Sequence, residues 1–533
     1  MSDSPFGSLA QKVYEHKYAW PGEEWPDTAW RVASTVCGPV DEELVQPVYE
    51  AIRDRKLIPA GRFLYAAGRP YFQTSNCYLL RAEDSKEGWA DLAWKSYMTL
   101  MSGGGVGAVY SDIRPKGASV RGLGGTCTGP GALMESINDI GHAAMQGGSR
   151  RAAIWAGLHW NHPDVGEFIR MKDWNEHYDK MKREDFNAKA PMDFTNISVI
   201  FDDDFFKAYE SGDEWAQEVY WNSIYHMRET GEPGFSVDIG ENSGENLRNP
   251  CTEISSHDDS DICNLASINM AQVEDVDEMA SLCEIATGFL IAATIVSHVP
   301  YEKVERIREK NRRIGLGLMG MHEWLAMRNK PYAPDDELAK YLETYESFTN
   351  LAAKEFAQDW DVSVPVKTRA IAPTGSISML GETTSGLEPI FCAAYKRRYH
   401  KDGDWYAQYV VDGAAQRLIN KGVDPNTIED ATSLAEDPAR RVNFQAWLQK
   451  YVDHGISSTI NLPQPGSSEV TAEEFGNAVM EELPNLRGLT VYPDGARGGQ
   501  PMNPVPLEEA IEKEGVEFVE NSEDQCISGV CYT

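Results

Sequence analysis

Two features of membrane and exported proteins are missing from this sequence. No stretch reaches the roughly 20 consecutive apolar residues that a membrane helix requires. The nearest candidate, residues 279–299, is interrupted by Glu284, Thr287 and His298 and predicts a buried helix instead. The N-terminus has no basic segment followed by an apolar one, so we expect no secretory leader.

Basic residues and cysteines are also scarce. Lys and Arg total 49 against 83 Asp and Glu, a formal net charge of −34. This balance argues against binding to nucleic-acid backbones or anionic membranes by the protein as a whole. Nine cysteines in 533 residues are too few and too scattered for a disulfide scaffold. A reducing, cytoplasmic setting with free thiols is therefore expected.

The pattern of apolar, glycine and charged residues changes twice along the chain. Residues 1–57 have apolar and aromatic side chains at helical spacing, which predicts a helical N-terminal region. Over residues 58–497, short apolar runs alternate with glycine-rich turns and amphipathic helices, which is typical of a large α/β barrel or a doubly wound sheet. Residues 498–533 lose this periodicity and predict a flexible acidic tail.

The segment with the clearest chemistry is Asn249-Pro250-Cys251-Thr252-Glu253. Pro250 disfavours a helix, and in an extended loop a two-residue spacing places Asn249, Cys251 and Glu253 on one face. Their side chains combine a hydrogen-bond donor, a reactive sulfur and a general base. On spacing alone, a buried structural cysteine in a turn closed by Asn and Glu is the simpler interpretation.

The same segment, followed by Cys263, resembles the active-site finger loop of ribonucleotide reductases. Further motifs follow in that family's order: PAGR at 59–62, SNCY at 75–78, GGGVGAVYSDIRPKGA at 103–118, MQGGSRRAA at 145–153, NHPD at 161–164, TGEPGFSVDI at 230–239, NRRIGLGLMG at 311–320, IAPTGSIS at 371–378, TSGLEPIF at 384–391 and TINLP at 459–463. The resemblance covers about residues 10–500 and a cysteine pair near the C-terminus.

The resemblance implies an α/β fold, a ten-stranded barrel of two five-stranded halves, with the finger loop threaded through its centre. It implies that Cys251 carries a thiyl radical that abstracts the ribose 3′-hydrogen. Glu253 would take the 3′-hydroxyl proton, and Asn249 would orient the sugar. Cys77 would protonate the departing 2′-hydroxyl and, with Cys263, supply two electrons by forming a disulfide.

The terminal pair Cys526 and Cys531 fits the same chemistry. A disulfide inside a barrel cannot meet an external reductant, because exchange requires direct attack of a thiolate on sulfur. The resemblance makes this pair a shuttle between the internal disulfide and thioredoxin or glutaredoxin. A zinc site would need two more ligands, and the last forty residues contain no His and no other Cys.

The turn at residues 372–377 offers backbone N–H groups and hydroxyls, which suits a phosphate group but is also a common turn. In the family's order it resembles the clamp for the substrate diphosphate. The substrate-binding residues that the resemblance implies are Ser75, Asn76, Pro373, Thr374, Gly375 and Ser376.

The resemblance also implies control by a deoxynucleotide or ATP effector. The implied effector residues are Asp84, Ser85 and Arg114, with Gln146 and Arg150 in the loop that would relay the signal. A homodimer is expected to form through a helix around residues 84–101. The first 50 residues do not resemble the family's ATP-binding cone, so we expect control of specificity without a cone-based switch.

The family generates its radical in two ways, by adenosylcobalamin bound at the barrel or by a separate dimetal subunit with a relay of two stacked tyrosines. Tyr492 is the candidate for such a relay, but the next residue is Pro493, which cannot carry an electron hole. The texture TVYPDGAR at 490–497 favours adenosylcobalamin, and the subunit-dependent alternative stays open.

Two other function classes fit less well. A hydrolase with a cysteine nucleophile needs a histidine beside Cys251, and the nearest in sequence, His257, lies in the polar run SSHDDSD. That class leaves Cys77 and Cys263 unexplained. A non-catalytic nucleotide-binding scaffold would be free to lose the thiols and the Glu253 carboxylate, yet all are present.

Overall fold

A computed structural model describes residues 6–120, 124–144, 152–184, 188–401, 404–464, 466–467, 470–496, 502–513 and 516–519 of the chain. Its first helices are α1 (Ser8–Lys17), α2 (Trp25–Cys37), α3 (Val45–Arg53) and α4 (Gly61–Ala66). Helix α2 begins with a capping box between Glu24 and Asp27, and its buried residues recur at helical spacing. The helical N-terminal region that the sequence predicts is present.

The remaining helices are α5 (Lys86–Met101), α6 (Pro130–Ala143), α7 (Val165–Ile169), α8 (Glu176–Glu184), α9 (Asp203–Glu210), α10 (Glu214–Thr230), α11 (Val276–Val296), α12 (Glu302–Asn311), α13 (Met321–Met327), α14 (Asp336–Asp359), α15 (Ile377–Gly381), α16 (Gly413–Asn420), α17 (Ala431–Leu434), α18 (Pro438–Gln449), α19 (Ala472–Glu482) and α20 (Leu507–Glu512). Short 3₁₀ helices lie at Glu42–Leu44, Gly240–Asn242, Met270–Gln272, Pro425–Thr427 and Leu483–Asn485.

The strands are β1 (Leu57–Pro59), β2 (Cys77–Arg81), β3 (Gly105–Val109), β4 (Ile154–His159), β5 (Thr195–Asp202), β6 (Gly234–Asp238), β7 (Leu247–Arg248), β8 (Ser255–Ser256), β9 (Asp261–Asn269), β10 (Ile314–Met319), β11 (Ala394–Lys401), β12 (Asp404–Val411), β13 (Thr459–Leu462), β14 (Gly488–Pro493), β15 (Met502–Pro504) and β16 (Glu517–Val519).

Ten strand segments close into a ring of two halves. Strands β2 to β6 form a parallel half, and antiparallel pairs of β2 with β9 and of β6 with β14 join it to the other half. That second half runs from β9 to β10, across bridges Leu316↔Arg369 and Ile371↔Ile456, and then through β13 to β14. The ten-stranded barrel of two five-stranded halves is therefore confirmed. Strand β1 is an extra antiparallel neighbour of β9.

Helix α11 is the apolar segment that comes nearest to a membrane span. Its length and composition would suffice to cross a bilayer, but 67% of its apolar window is buried inside the protein. Gly288 of α11 lies against Phe356 of α14, and Asp275 caps its first turn. The helix packs in the core, as the polar residues within it predict.

The segment after residue 497 differs from the flexible tail that the sequence predicts. Strand β15 pairs with β11 and β16 pairs with β12, which forms a four-stranded antiparallel sheet, and α20 lies against it through the bond from the Tyr409 hydroxyl to Glu509. The prediction of a wholly flexible segment over 498–533 is therefore wrong for residues 502–513 and 516–519. The acidic composition predicted no strands here, because β-pairing depends on a partner strand far away in sequence. Cys526 and Cys531 lie outside the described residues.

Candidate active site

A hairpin built from β7 and β8 carries the catalytic candidates into the barrel. Its strands pair at Leu247↔Ser256 and Arg248↔Ser255, and residues 249–254 form its tip. We call residues 247–256 the finger loop. Arg248 is buried and donates to the Ser236 hydroxyl at 3.0 Å and to the Val237 carbonyl at 2.7 Å. These bonds anchor the ascending limb of the finger loop to strand β6.

Two glycines of strand β3 leave room for the finger loop. A Cβ atom on Gly107 would lie 1.8 Å from the carbonyl oxygen of Arg248, and one on Gly105 would lie 2.8 Å from the Pro250 ring. The glycine-rich run at 103–107 therefore permits close backbone packing. The segment that it admits is the finger loop.

Cys77 and Cys263 face each other across adjacent strands. They are register partners in the antiparallel pair of β2 and β9. Residues opposed in this way have Cα atoms about 4.5–5.5 Å apart, within the range that a disulfide requires. Both side chains are buried, and the Asn249 amide donates to the Cys77 sulfur at 2.9 Å. The site can hold either two thiols or one disulfide with little backbone movement.

The same burial keeps the pair protonated. Desolvation raises the pKa of the Cys77 and Cys263 thiols well above the usual range, and the Glu253 carboxylate raises them further. Both sulfurs therefore rest as S–H groups, able to release protons and electrons together. Cys251 differs because it is only half-buried.

A cavity of about 410 Å³ is lined by Cys77, Cys251 and Glu253 but not by Cys263. Of the residues predicted from the sequence, it is lined by Asn76, Cys77, Asn249, Cys251, Glu253, Pro373, Thr374, Gly375 and Ser376. Ser75 is not among the lining residues: it is buried, and its hydroxyl donates to the Asn264 side chain at 3.0 Å. Its contact with Asn264 of β9 joins the two strands that carry Cys77 and Cys263.

The end of the cavity at residues 373–377 has polar groups on both sides. The Thr374 hydroxyl accepts from the Gly386 N–H at 2.8 Å, which leaves its O–H proton available to a ligand. The Ser376 hydroxyl lies 2.6 Å from the Tyr18 hydroxyl of the N-terminal helical region. Lys17, Arg62 and Tyr65 also line the cavity. Sequence reasoning missed all four of these N-terminal residues, because only the tertiary fold brings the first helices to this turn.

The predicted effector residues form a separate group. Arg114 donates to both carboxylate oxygens of Asp84, at 3.1 and 2.8 Å, and Ser85 caps helix α5. Asp84 follows Cys77 by seven residues along β2 and its exit, a distance of up to about 23 Å at roughly 3.3 Å per residue. Gln146 and Arg150 lie outside the described residues. Tyr492 is half-buried on β14, beside Pro493.

The barrel encloses two opposed thiols, a third thiol on a central loop and a carboxylate. This arrangement is typical of a thiol-dependent oxidoreductase. The chain matches the family model of the ribonucleotide reductase barrel domain at residues 75–223, 216–355 and 366–483. It matches the ribonucleotide reductase all-alpha domain at residues 4–71. The chain therefore belongs to the ribonucleotide reductase large-subunit family.

Two relatives and one solved structure illustrate what this chain is similar to. A vitamin B12-dependent ribonucleoside-diphosphate reductase of Mycobacterium tuberculosis is 25% identical over 86% of this chain and 73% of its own length. One of Thermoplasma acidophilum is 27% identical over 89% of this chain and 69% of its own length. The structure of the Actinobacillus ureae class Id ribonucleotide reductase alpha subunit superposes with a TM-score of 0.74 at 17% identity, covering 92% of this chain and 97% of that one. The last likeness concerns the fold alone.

Proposed function

We propose that this chain reduces ribonucleotides to 2′-deoxyribonucleotides through a thiyl radical on Cys251. The observation that carries the proposal is that Cys77, the register partner of Cys263, lines one cavity with Cys251 and Glu253. Cys251 would abstract the 3′-hydrogen of the ribose and return it at the end of the cycle. A sulfur radical suits this step, because an acid or base alone does not break a ribose C–H bond.

Glu253 and Asn249 prepare the sugar for loss of its 2′-hydroxyl. The buried Glu253 carboxylate would accept the proton of the 3′-hydroxyl, and Asn249 would orient the ribose while it holds the Cys77 sulfur. Asn249 is itself fixed, because its side-chain oxygen accepts from the Ile254 N–H at 2.9 Å. Its amide thereby links the tip of the finger loop to the redox pair.

The redox balance closes within the pair. The 2′-hydroxyl leaves as water after it takes a proton from Cys77, two electrons pass to the sugar, and Cys77 and Cys263 become joined by a disulfide. A second proton, from Cys263, accompanies the second electron. The raised pKa values of both thiols fit this role, because each sulfur starts with the proton that it must deliver.

Adenosylcobalamin is the cofactor that we propose, and it supplies a carbon-centred radical when bound. Cys251 fits direct contact with such a group, since it is half-buried whereas Cys77 and Cys263 are buried. The sequence Tyr492-Pro493 does not provide two adjacent relay tyrosines. The alternative is a separate dimetal subunit that delivers the radical through Tyr492.

The Cys526–Cys531 pair would restore the internal dithiol and be reduced in turn by thioredoxin or glutaredoxin. Strand β16 ends at Val519, so six residues, and therefore seven Cα–Cα steps, separate Cys526 from the end of β16. A fully extended chain of that length spans at most about 25 Å. The shuttle therefore requires the barrel cavity, or that of a partner subunit, to lie within this reach.

Effector control and dimerisation complete the proposal. A deoxynucleotide or ATP would bind near Asp84, Ser85 and Arg114 at the start of helix α5. That helix exposes Trp94, Tyr97, Met98 and Met101, which are 38 to 65% accessible. A contiguous set of exposed large apolar side chains marks an interaction surface. The partner that we propose for this face of α5 is a second copy of the chain. The cellular location that we propose for the protein is the cytoplasm.

The deciding assay incubates the protein with CDP or CTP and dithiothreitol under three conditions: with adenosylcobalamin, with a dimetal radical-generating subunit, and with neither. Deoxycytidine nucleotides are measured by chromatography. We expect product only when adenosylcobalamin is present. Product only with an added dimetal subunit would refute the cofactor and keep the reductase. No product under either condition, with intact nucleotide binding, would refute the reductase itself. The comparison of CDP with CTP identifies the phosphate form that is used.

A further inference from the structure

The descending limb of the finger loop rests against residues 453–457, a segment of the barrel ring that the catalytic scheme does not use. The Gly455 N–H donates to the Glu253 carbonyl at 2.6 Å. One residue earlier, the His454 imidazole accepts from the Ser255 N–H through Nδ1 at 3.2 Å. Two successive residues of the ring thus bind two alternate residues of the loop, on either side of Ile254.

His454 is rigidly held. Its side chain is completely buried, its N–H donates to the Arg369 carbonyl at 3.0 Å, and its carbonyl accepts from the Gln449 amide at 2.8 Å. Ile371 donates to the Gly455 carbonyl at 3.2 Å, which ties the segment to the next strand of the ring. The position of the imidazole is therefore fixed by the barrel, and it can fix the position of the loop residue that it binds.

The charged groups around His454 keep its imidazole neutral. Lys367, Arg369, Arg313 and Arg248 face it, with Glu245 paired to Lys367 and Arg313, and Asp453 paired to Arg369. Burial, followed by these four cations, lowers the pKa of His454 well below its usual range. Nδ1 consequently stays a hydrogen-bond acceptor, and the proton lies on Nε2.

The two ring nitrogens of His454 differ in what they contribute to the structure. Its Nε2 has no hydrogen-bond partner among the residues that the structure describes. A buried donor without a partner is a cost that an apolar side chain of similar volume would avoid. The feature that an apolar side chain would lose is the acceptor for the Ser255 N–H.

We propose that His454 is a positioning residue for the finger loop: through Ser255, and together with Gly455, it holds the limb that presents the Glu253 carboxylate and the Cys251 sulfur to the sugar. This role rests on the proposed function of those two side chains. An error of about 1 Å in such a placement is enough to lower a catalytic rate about 100-fold. His454 touches neither substrate nor reacting atoms, so its effect should appear in kcat and not in substrate binding.

The test compares His454→Leu, which removes the acceptor at similar volume, with His454→Asn, whose Oδ1 lies the same number of bonds from Cα as Nδ1. We expect His454→Leu to lower kcat about 10- to 100-fold with nucleotide Kd within about twofold of wild type. We expect His454→Asn to restore at least about a third of the wild-type kcat. Wild-type kcat in His454→Leu, or equal losses in the two variants, would overturn the proposal.

His322 provides a matched control elsewhere in the barrel. It is also buried, it accepts from the Ile390 N–H at 2.9 Å through Nδ1, and burial lowers its pKa to about 4. His322→Leu removes the same kind of bond without touching the finger loop. It should retain kcat within about threefold of wild type, whereas an equal loss in His322→Leu and His454→Leu would reduce the effect to general destabilisation and overturn the proposal.

Amide hydrogen exchange supplies a readout that needs no turnover. Exchange of the peptide over residues 251–256 should be at least tenfold faster in His454→Leu than in wild type, and close to wild type in His454→Asn and His322→Leu. If the wild-type protein makes no deoxynucleotide, the proposed function fails, yet this comparison still decides the role of His454. Unchanged exchange in His454→Leu would refute it.

If His454→Leu does not fold, Gly455→Ala tests the neighbouring contact between the same segment and the finger loop, with the histidine in place. The new Cβ would lie 3.1 Å from the Thr252 carbonyl oxygen and 3.2 Å from that of Glu253, closer than ordinary contacts. A folded Gly455→Ala protein should show faster exchange over 251–256 and a lower kcat. Wild-type values of both would contradict the proposal.

Discussion

Gly107→Ala should displace the finger loop from its position in the barrel. The added Cβ would lie 1.8 Å from the Arg248 carbonyl oxygen, 2.8 Å from its carbonyl carbon and 3.1 Å from the Asn249 Cα. A carbon and a carbonyl oxygen in close contact stay about 3.3 Å apart, so the loop backbone would have to move by about 1.5 Å. Strand β3 cannot retreat, because β2 and β4 hold it on both sides.

A shift of that size should reduce the single-turnover rate constant at least about 100-fold, since the displaced segment directly precedes Cys251, the proposed radical carrier. Overpacking of a buried contact should also cost about 1–3 kcal/mol of unfolding free energy. The assay measures ribonucleotide reduction under single-turnover conditions from the pre-reduced state, together with thermal unfolding. Single turnover removes any contribution from the reducing partner.

Gly131→Ala is the control for the substitution itself. Gly131 lies in helix α6, and the nearest atom to its Cβ would be the Met171 methyl at 3.6 Å, an ordinary contact. It should stabilise the helix by about 0.5–1 kcal/mol and leave the single-turnover rate close to wild type. A Gly107→Ala protein with the wild-type rate would show that the finger loop does not pass over strand β3 as described.

Further predictions concern the chemistry and assembly. Cys251→Ser should bind nucleotide normally but make no deoxynucleotide, and residual product above a few per cent would contradict the thiyl assignment. Glu253→Gln keeps the shape but removes the base, so single-turnover product should collapse; a near-native rate would leave the carboxylate a structural role. Replacing Cys526 and Cys531 by Ser should abolish thioredoxin-driven turnover while dithiothreitol still supports it, and normal thioredoxin cycling would refute the shuttle. Trp94→Glu should weaken an effector-tightened dimer in sedimentation, whereas a wild-type monomer with and without effector would refute that interface.

The local chemistry of the site was readable from the chain. Asn249, Cys251 and Glu253 lie within five residues, and their spacing and their side-chain types do not depend on tertiary contacts. Local periodicity was enough to predict an α/β fold, either a barrel or a doubly wound sheet. The ten-stranded barrel followed only from the resemblance of the ordered motifs to ribonucleotide reductases. The glycines of β3 were also recognisable, although the group that they admit was not.

Contacts between distant segments could be decided only by the tertiary structure. That Cys77 opposes Cys263 in register, that Tyr18 reaches Ser376, and that His454 accepts from Ser255 are pairings across 186, 358 and 199 residues, respectively. Strand β15 pairs with β11 and strand β16 pairs with β12, in a segment whose acidic composition predicted flexibility. Local sequence propensity does not specify which distant segment a residue will contact. The burial, the hydrogen bonds and the pKa of that residue all depend on this contact.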